Sequence, residues 1–322
     1  MVIEENKDVT AQQKKEPLRI VFMGTPDFAV ASLDALVQEG FTIAGVITAP
    51  DKPAGRGLQL QQSAVKKYAV EKNLHILQPE KLKNPQFLEA LKSLNADIQI
   101  VVAFRMLPEV VWAMPPLGTI NVHGSLLPQY RGAAPINWAI INGEQETGVT
   151  TFKLQQEIDT GNILLQEKIP IAETETAGEL HDRMKKIGAR LLVQTLNELK
   201  AGTLTEMPQP VVAGVLKHAP KINSETCHIN WNKSVRDIYN LIRGLSPYPA
   251  AFTELDGKKL KLFSVAKENY PPVELPGTIQ TDKKTFLKFI CADGSIIVNE
   301  LQLEGKKRMP IAEFLRGYHF NS

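Results

Sequence analysis

The sequence predicts an α/β protein: an open sheet with helices on its faces, followed by a small all-β barrel. Three observations predict it. From Arg19 to Lys200, short apolar runs alternate with stretches of helical spacing, the pattern of an open α/β sheet. One run, ADIQIVVAF at 96–104, is almost continuously apolar, as a strand in a parallel sheet covered on both faces is. Beyond residue 250 the pattern changes to short strands at close spacing, broken by turn residues, which suits a small barrel or sandwich.

The elements follow in order. RIVFM at 19–23 is a short apolar strand. Thr25 suits a helix N-cap and Pro26 the first helical position, where a missing N–H costs nothing. Phe28, Val30, Leu33, Leu36 and Val37 recur at helical spacing, and Gly40 stops that helix. FTIAGVITA (41–49) is a second strand, YAVEKN ends a helix, HILQ (75–78) is a short strand, and NPQFLEALKSLN is a helix. LGTINVH (117–123) is another strand. VTTFKLQ (149–155) and NILLQEKIPI (162–171) form a strand pair joined by QEIDTG, and a long helix runs from Glu179 to Lys200. AGTLTEMPQPVVAGV has the Pro and Gly content of a linker. One helix, VRDIYNLIRGL, and the strands AAFTEL, KLKLFSVAK, GTIQ, FLKFICA and GSIIVNELQL complete the chain. The expected organisation is a disordered extension at 1–16, an α/β domain at 17–203, a linker at 204–214 and a β-barrel domain at 215–322.

The chain has 322 residues, room for two domains of roughly 150 residues each. No apolar run approaches the roughly 20 residues that a membrane span needs. The polar N-terminus lacks the apolar centre of a signal peptide. The two cysteines, Cys227 and Cys291, fit a reduced cytosol rather than a disulfide framework, so a cytoplasmic location is expected. No CxxC, HExxH or His-rich tract is present, so no metal site is expected. From Pro208 to Ser322 there are 16 Lys and Arg against 11 Asp and Glu. That basic excess suits either a polyanion partner or a solubilising surface.

Loops 24–27, 104–108 and 123–132 fall at the carboxyl ends of predicted strands, where open α/β sheets bind ligands. GTPD is not the GxGxxG fingerprint, which argues against a dinucleotide. The stretch INVHGSLLPQYRG delivers Asn121 and His123 into one of these loops, and Asp159 follows in the next one. Histidine is the common general acid or base near neutrality, and a carboxylate tunes and orients it. An Asn amide can donate to an oxygen that gains negative charge in a transition state. No GxSxG nucleophile elbow is present. The three residues therefore suit assisted transfer of an acyl or formyl group between two bound substrates.

NVHGSLLPQYRGAAPINWAIINGEQETGVTTFKLQQEIDTGNIL resembles the signature of the formyltransferases that use 10-formyltetrahydrofolate. The likeness extends to MGTPDFAVASLDAL, TAPDKPAGRG, INWNKSVRDIYNLIRGLSPYPAAFTEL and LEGKKRMPIAEFL. It implies a Rossmann-like catalytic domain, an OB-like C-terminal barrel that supports tRNA binding, and no metal. The implied reaction moves the formyl group of 10-formyltetrahydrofolate to the α-amino group of methionyl initiator tRNA, in a cytoplasmic monomer. In the family's pattern Asn121 and His123 polarise the formyl carbonyl, and Asp159 pairs with His123 and helps take the proton of the amine. Ser125, Leu126, Leu127 and Pro128 line the folate site, and the 102–107 loop holds the pterin through backbone groups. PDKPAGRGLQL is the tRNA-contacting loop, with Lys52 and Arg56 facing phosphates.

The chain departs from the family at three places. Leu58 and Gln59 stand where further basic residues are frequent, Arg105 stands where Gly is usual, and SAVK replaces SPVK. A sugar-nucleotide formyltransferase or a formyl-folate hydrolase shares the signature, and PDKPAGRG and GKKRM argue against both. A non-catalytic RNA-binding protein on the same scaffold is opposed by the intact Asn121, His123 and Asp159.

Overall fold

A computed structural model describes residues 17–54, 59–211 and 214–320. The expected extension at 1–16 lies outside the described residues. The first part begins with β1 (Arg19–Gly24), α1 (Asp27–Gln38), β2 (Thr42–Ile47), the short strands β3 (Lys52–Ala54) and β4 (Gln59–Gln61), α2 (Ala64–Glu71) and β5 (Ile76–Leu77). It continues through α3 (Pro85–Ser93), β6 (Ile98–Val102), α4 (Glu109–Trp112), β7 (Thr119–His123), β8 (Arg131–Gly132) and α5 (Pro135–Ile141). It ends with β9 (Glu146–Lys153), β10 (Ile163–Pro170) and α6 (Ala177–Ala201). Seven of these strands form one sheet in the order β10-β9-β7-β6-β1-β2-β5. β7, β6, β1, β2 and β5 run parallel, whereas β9 is antiparallel to both neighbours. β6 is buried at every position, which explains the unbroken apolar run of its sequence. Helices cover both faces, with one apolar layer around Phe22, Leu33, Ile100 and Leu192 and another around Met23, Phe87 and Val111. This is the Rossmann-like sheet that the sequence predicts.

The helix termini show which local signals act. α6 begins at a full capping box: Thr176 accepts from the Glu179 N–H, and Glu179 accepts from the Thr176 N–H, so two otherwise orphaned donors are satisfied. α1 differs from expectation. Its N-cap is Pro26, not Thr25, and no side chain caps it. The Pro26 carbonyl already accepts the first helical bond, from Ala29 N at 3.0 Å, which moves the helix start one residue on.

The second part holds β11 (His218–Ala219), α7 (Ser224–Cys227), α8 (Val235–Leu245), β12 (Ala251–Leu255), β13 (Lys258–Asn269), β14 (Ile279–Thr281), β15 (Leu287–Cys291), β16 (Gly294–Leu303), β17 (Met309–Pro310) and α9 (Ile311–Gly317). Its antiparallel sheet runs β12-β13-β16-β15-β14, with β17 added to β16. It curls into a half-barrel closed over by α8, whose Val235, Ile238, Ile242 and Leu245 join Leu262, Phe289 and Val298 in a separate core. α8 also joins the two parts. Asn137 donates to the Gly244 carbonyl at 2.7 Å, and the buried Arg243 donates to the Glu175 carbonyl at 3.1 Å and to Asn240 at 2.9 Å. Among the described residues, no helix is long and apolar enough to cross a membrane.

Candidate active site

β7 is a central strand, paired with β6 on one side and β9 on the other. Its side chains alternate in facing, so Asn121 and His123 project to the same side of the sheet. His123 is the last residue of the strand and is buried. Its ring meets Phe152 of β9 edge to face, with centroids 6.3 Å apart. Nε2 lies 2.9 Å from the Tyr130 carbonyl. A carbonyl only accepts, so Nε2 carries a proton in this contact and Nδ1 is the ring nitrogen left to exchange one. Nδ1 faces Asp159, whose Oδ2 lies 3.8 Å away.

The Tyr130 carbonyl is itself held. Tyr130 N donates to the Lys217 carbonyl at 2.6 Å, and its hydroxyl donates to Glu144, which also takes Lys217 Nζ at 2.5 Å. Burial, with Glu144 alongside, pushes the Tyr130 phenol above its ordinary pKa. β8 then pairs with β11 from the second part, so the loop that orients His123 is fastened from both ends of the chain.

Asp159 sits in a loop between β9 and β10 with φ +54°, in the left-handed region. Its Oδ2 accepts from Gly132 N at 2.9 Å. Two glycines make this approach possible. A Cβ on Gly132 would lie 2.4 Å from the Ala219 carbonyl oxygen, and one on Gly161 would lie 1.6 Å from that of Lys153. With only 7% and 11% of their side chains exposed, His123 and Asp159 interact through little water, which strengthens their mutual field.

The other expected site residues are placed differently. Ser125, Leu127 and Pro128 are buried and Leu126 is half-buried. Ser125 Oγ donates to the Gln129 carbonyl at 2.6 Å, Thr150 Oγ1 bonds both the Ser125 carbonyl and Leu127 N, and Gln166 donates to the Leu127 carbonyl at 2.9 Å. Ser125 thus ties the loop to itself, Thr150 of β9 and Gln166 of β10 fix its backbone, and the Leu127–Pro128 bond is cis. Lys52 is exposed at the root of the β3–β4 hairpin. Asp51 beside it bonds Lys66 at 2.5 Å and Gln78 at 2.8 Å, and those bonds hold its carboxyl below the usual range. Arg56 lies outside the described residues.

Arg105, the departure in the 102–107 loop, turns toward the segment after β5. It donates to the Glu80 carbonyl at 2.8 Å and also to that of Pro79. A cleft of about 460 Å³ opens between this arginine, Thr25, Phe104 and Lys52, at the carboxyl ends of β1, β2 and β6. Sequence reasoning missed Tyr130, whose carbonyl meets His123, Gln209, which bonds the Asp159 and Gly161 carbonyls, and Thr150 and Gln166, which hold the SLLP loop. All but Tyr130 act through contacts remote in sequence, for which no local signal exists.

Together, the half-buried Asn121 amide and the His123–Asp159 pair stand at the carboxyl edge of the sheet and supply a hydrogen-bond donor, a proton acceptor and a carboxylate. A family model described as formyl transferase matches residues 18–196, and one described as formyl transferase, C-terminal domain, matches residues 221–319. The chain belongs to the formyl transferase family. Within it, the chain is similar to the methionyl-tRNA formyltransferases of Bacteroides fragilis and Parabacteroides distasonis. It is 55% identical to the first over 313 residues and 57% identical to the second over 317, in each case covering 95% of this chain and 97% of the relative. Among solved structures, an N-formyltransferase from Helicobacter canadensis in complex with folinic acid and dTDP-3-aminofucose shares the fold. Its TM-score is 0.66 at 21% identity, over 91% of this chain and all of that one. HypX from Aquifex aeolicus in complex with tetrahydrofolic acid also shares the fold, with a TM-score of 0.64 at 18% identity, over 94% of this chain and 48% of that one.

Proposed function

We propose that this protein transfers the formyl group of 10-formyltetrahydrofolate to the α-amino group of methionyl initiator tRNA, as a cytoplasmic monomer serving translation initiation. The observation that carries the reading is the Asn121–His123–Asp159 cluster, in a chain 55% identical over nearly its whole length to a methionyl-tRNA formyltransferase. Folate and tRNA are both substrates.

The α-amine has a solution pKa near or a little below about 8, so it is partly uncharged at neutral pH. It needs placement more than activation. Its nitrogen attacks the formyl carbon, a C–N bond forms, and the carbonyl oxygen becomes an oxyanion. The Asn121 amide donates to that oxygen, a contact that strengthens only as charge develops. Nδ1 of His123 and the Asp159 carboxylate both accept, so the space between them suits an N–H of the attacking amine or the proton it releases. The imidazolium formed on proton uptake is stabilised by Asp159 and still donates through Nε2 to Tyr130. The intermediate collapses by breaking the bond to N10 of the folate, which takes up a proton. Lys52 and Arg56 meet phosphates of the acceptor stem. The SLLP loop, Ser125 to Pro128, lines the folate site, its shape fixed by Thr150 and Gln166.

The test is an acceptor panel. The protein is incubated with 10-formyltetrahydrofolate and, separately, methionyl initiator tRNA, methionyl elongator tRNA, an amino-sugar nucleotide or buffer. Formyl-methionine from the initiator alone is the expected result. Transfer to the amino sugar, or tetrahydrofolate release in buffer at the same rate, would overturn the reading.

A further inference from the structure

We infer that Gln209 is a positioning residue of the formyl-transfer site, acting through the loop that carries Asp159. The inference rests on the role proposed above for Asp159. Gln209 belongs to the stretch that the sequence marks only as a linker, yet its side-chain amide is used at both ends. Nε2 donates to the Asp159 carbonyl at 2.7 Å and to the Gly161 carbonyl at 2.9 Å. Oε1 accepts from Nη2 of Arg131 at 2.6 Å and from its Nε at 3.2 Å. One side chain thereby joins the IDTG loop to the YRG stretch, whose Gly132 N–H binds the Asp159 carboxylate.

The loop needs such a tie. Residues 154–162 belong to no helix or strand, and Asp159 holds a left-handed φ of +54°. A residue with a side chain keeps that conformation only where its surroundings impose it. An amide is the group that fits, because it offers donors to two carbonyls and an acceptor to a guanidinium at once. The segment around Gln209 is docked: Met207 exchanges two backbone bonds with Ile163, at 2.8 and 2.9 Å, and Glu206 pairs with Lys153 at 2.5 Å. The stretch joining the two parts of the chain therefore helps to set where the Asp159 carboxylate stands relative to His123.

The experiment measures single-turnover formyl transfer to methionyl initiator tRNA, the KM for both substrates and the melting temperature. The variants are Gln209→Leu, Gln209→Glu, Asp159→Asn and the double variant Gln209→Leu with Asp159→Asn. Gln209→Leu is expected to lower the rate on the order of 10²-fold, the effect of a small misplacement of a reacting group, with either KM little changed. Gln209→Glu keeps the acceptor for Arg131 but loses both donors, and is expected to fall with it. In the Asp159→Asn background, Gln209→Leu should add no further loss, because residues acting as one unit are not additive. A wild-type rate in both Gln209 variants while Asp159→Asn is impaired would overturn this inference alone. So would a Gln209 loss that multiplies with that of Asp159→Asn, or one that moves only the melting temperature. A wild-type rate in Asp159→Asn would overturn the role of Asp159, and the inference with it.

Discussion

The Tyr130 carbonyl accepts a hydrogen bond from Nε2 of His123 at 2.9 Å, and this turns Nδ1 toward Asp159 at 3.8 Å. With the ring neutral, Nδ1 and the carboxylate face each other as two acceptors with a proton's place between them. Such a pair suits the uptake of one proton, the event that the proposed amine attack on a formyl group requires.

Asn121→Ala removes the amide donor while leaving β7 paired on both sides. The turnover number is expected to fall by about 10²–10³, the effect of losing one oxyanion donor. Steady-state kinetics check it. Folate binding, measured by fluorescence quenching, should change little, because the donor acts on the transition state.

Gly161→Ala places a methyl group 1.6 Å from the Lys153 carbonyl oxygen, so the Asp159 loop must move. Formyl transfer is expected to drop by about 10²-fold, the cost of a misplacement of roughly 1 Å. Destabilisation should be about 1–3 kcal/mol, in the range for forced backbone strain. Denaturant melts and the transfer assay read both quantities from one preparation.

Lys52→Ala and Arg56→Ala should weaken use of the tRNA far more than binding of the folate. Each lost phosphate contact is expected to reduce the slope of log K against log salt by about 0.7–0.9. Filter binding across a salt series gives that slope. Equal effects on both substrates would remove the hairpin from the tRNA site.

Burial pushes the Cys291 thiol up to about 12, with Asp293 adding to the shift, and burial raises Cys227 as well. The thiolate is the reactive form. Both are raised pKa values, so thiolate populates only as pH climbs toward them. At pH 8 a thiol reagent should label neither cysteine in the folded protein and both after denaturation, as mass spectrometry would report. Rapid labelling of native Cys291 would contradict the burial described for β15.

The open sheet was legible in the sequence because strands buried on both faces spell continuous apolar runs, as β6 does. Asn121, His123 and Asp159 were legible as candidates because the motifs around SLLP and IDTG carry them, and the fold brings His123 and Asp159 to 3.8 Å. The β3–β4 hairpin was not, since KPA and QLQ carry no periodicity. α9 was missed because IAEFLRG is a single short amphipathic stretch after a strand-rich run. β8 and β11 are two-residue strands joined across 87 positions, between Arg131 and His218. Gln209 reaches 50 residues back to Asp159 and 78 back to Arg131. Contacts of that range exist only once the chain has folded, and nothing local announces them.

The most direct measurement is single-turnover formyl transfer from 10-formyltetrahydrofolate to methionyl initiator tRNA, comparing the wild type with His123→Ala at saturating levels of both substrates. A fall of about 10²–10⁴-fold, the usual contribution of a positioned general acid or base, is expected with the fold retained at the assay temperature. A variant that transfers formyl at the wild-type rate would show that the chemistry is performed elsewhere in the molecule.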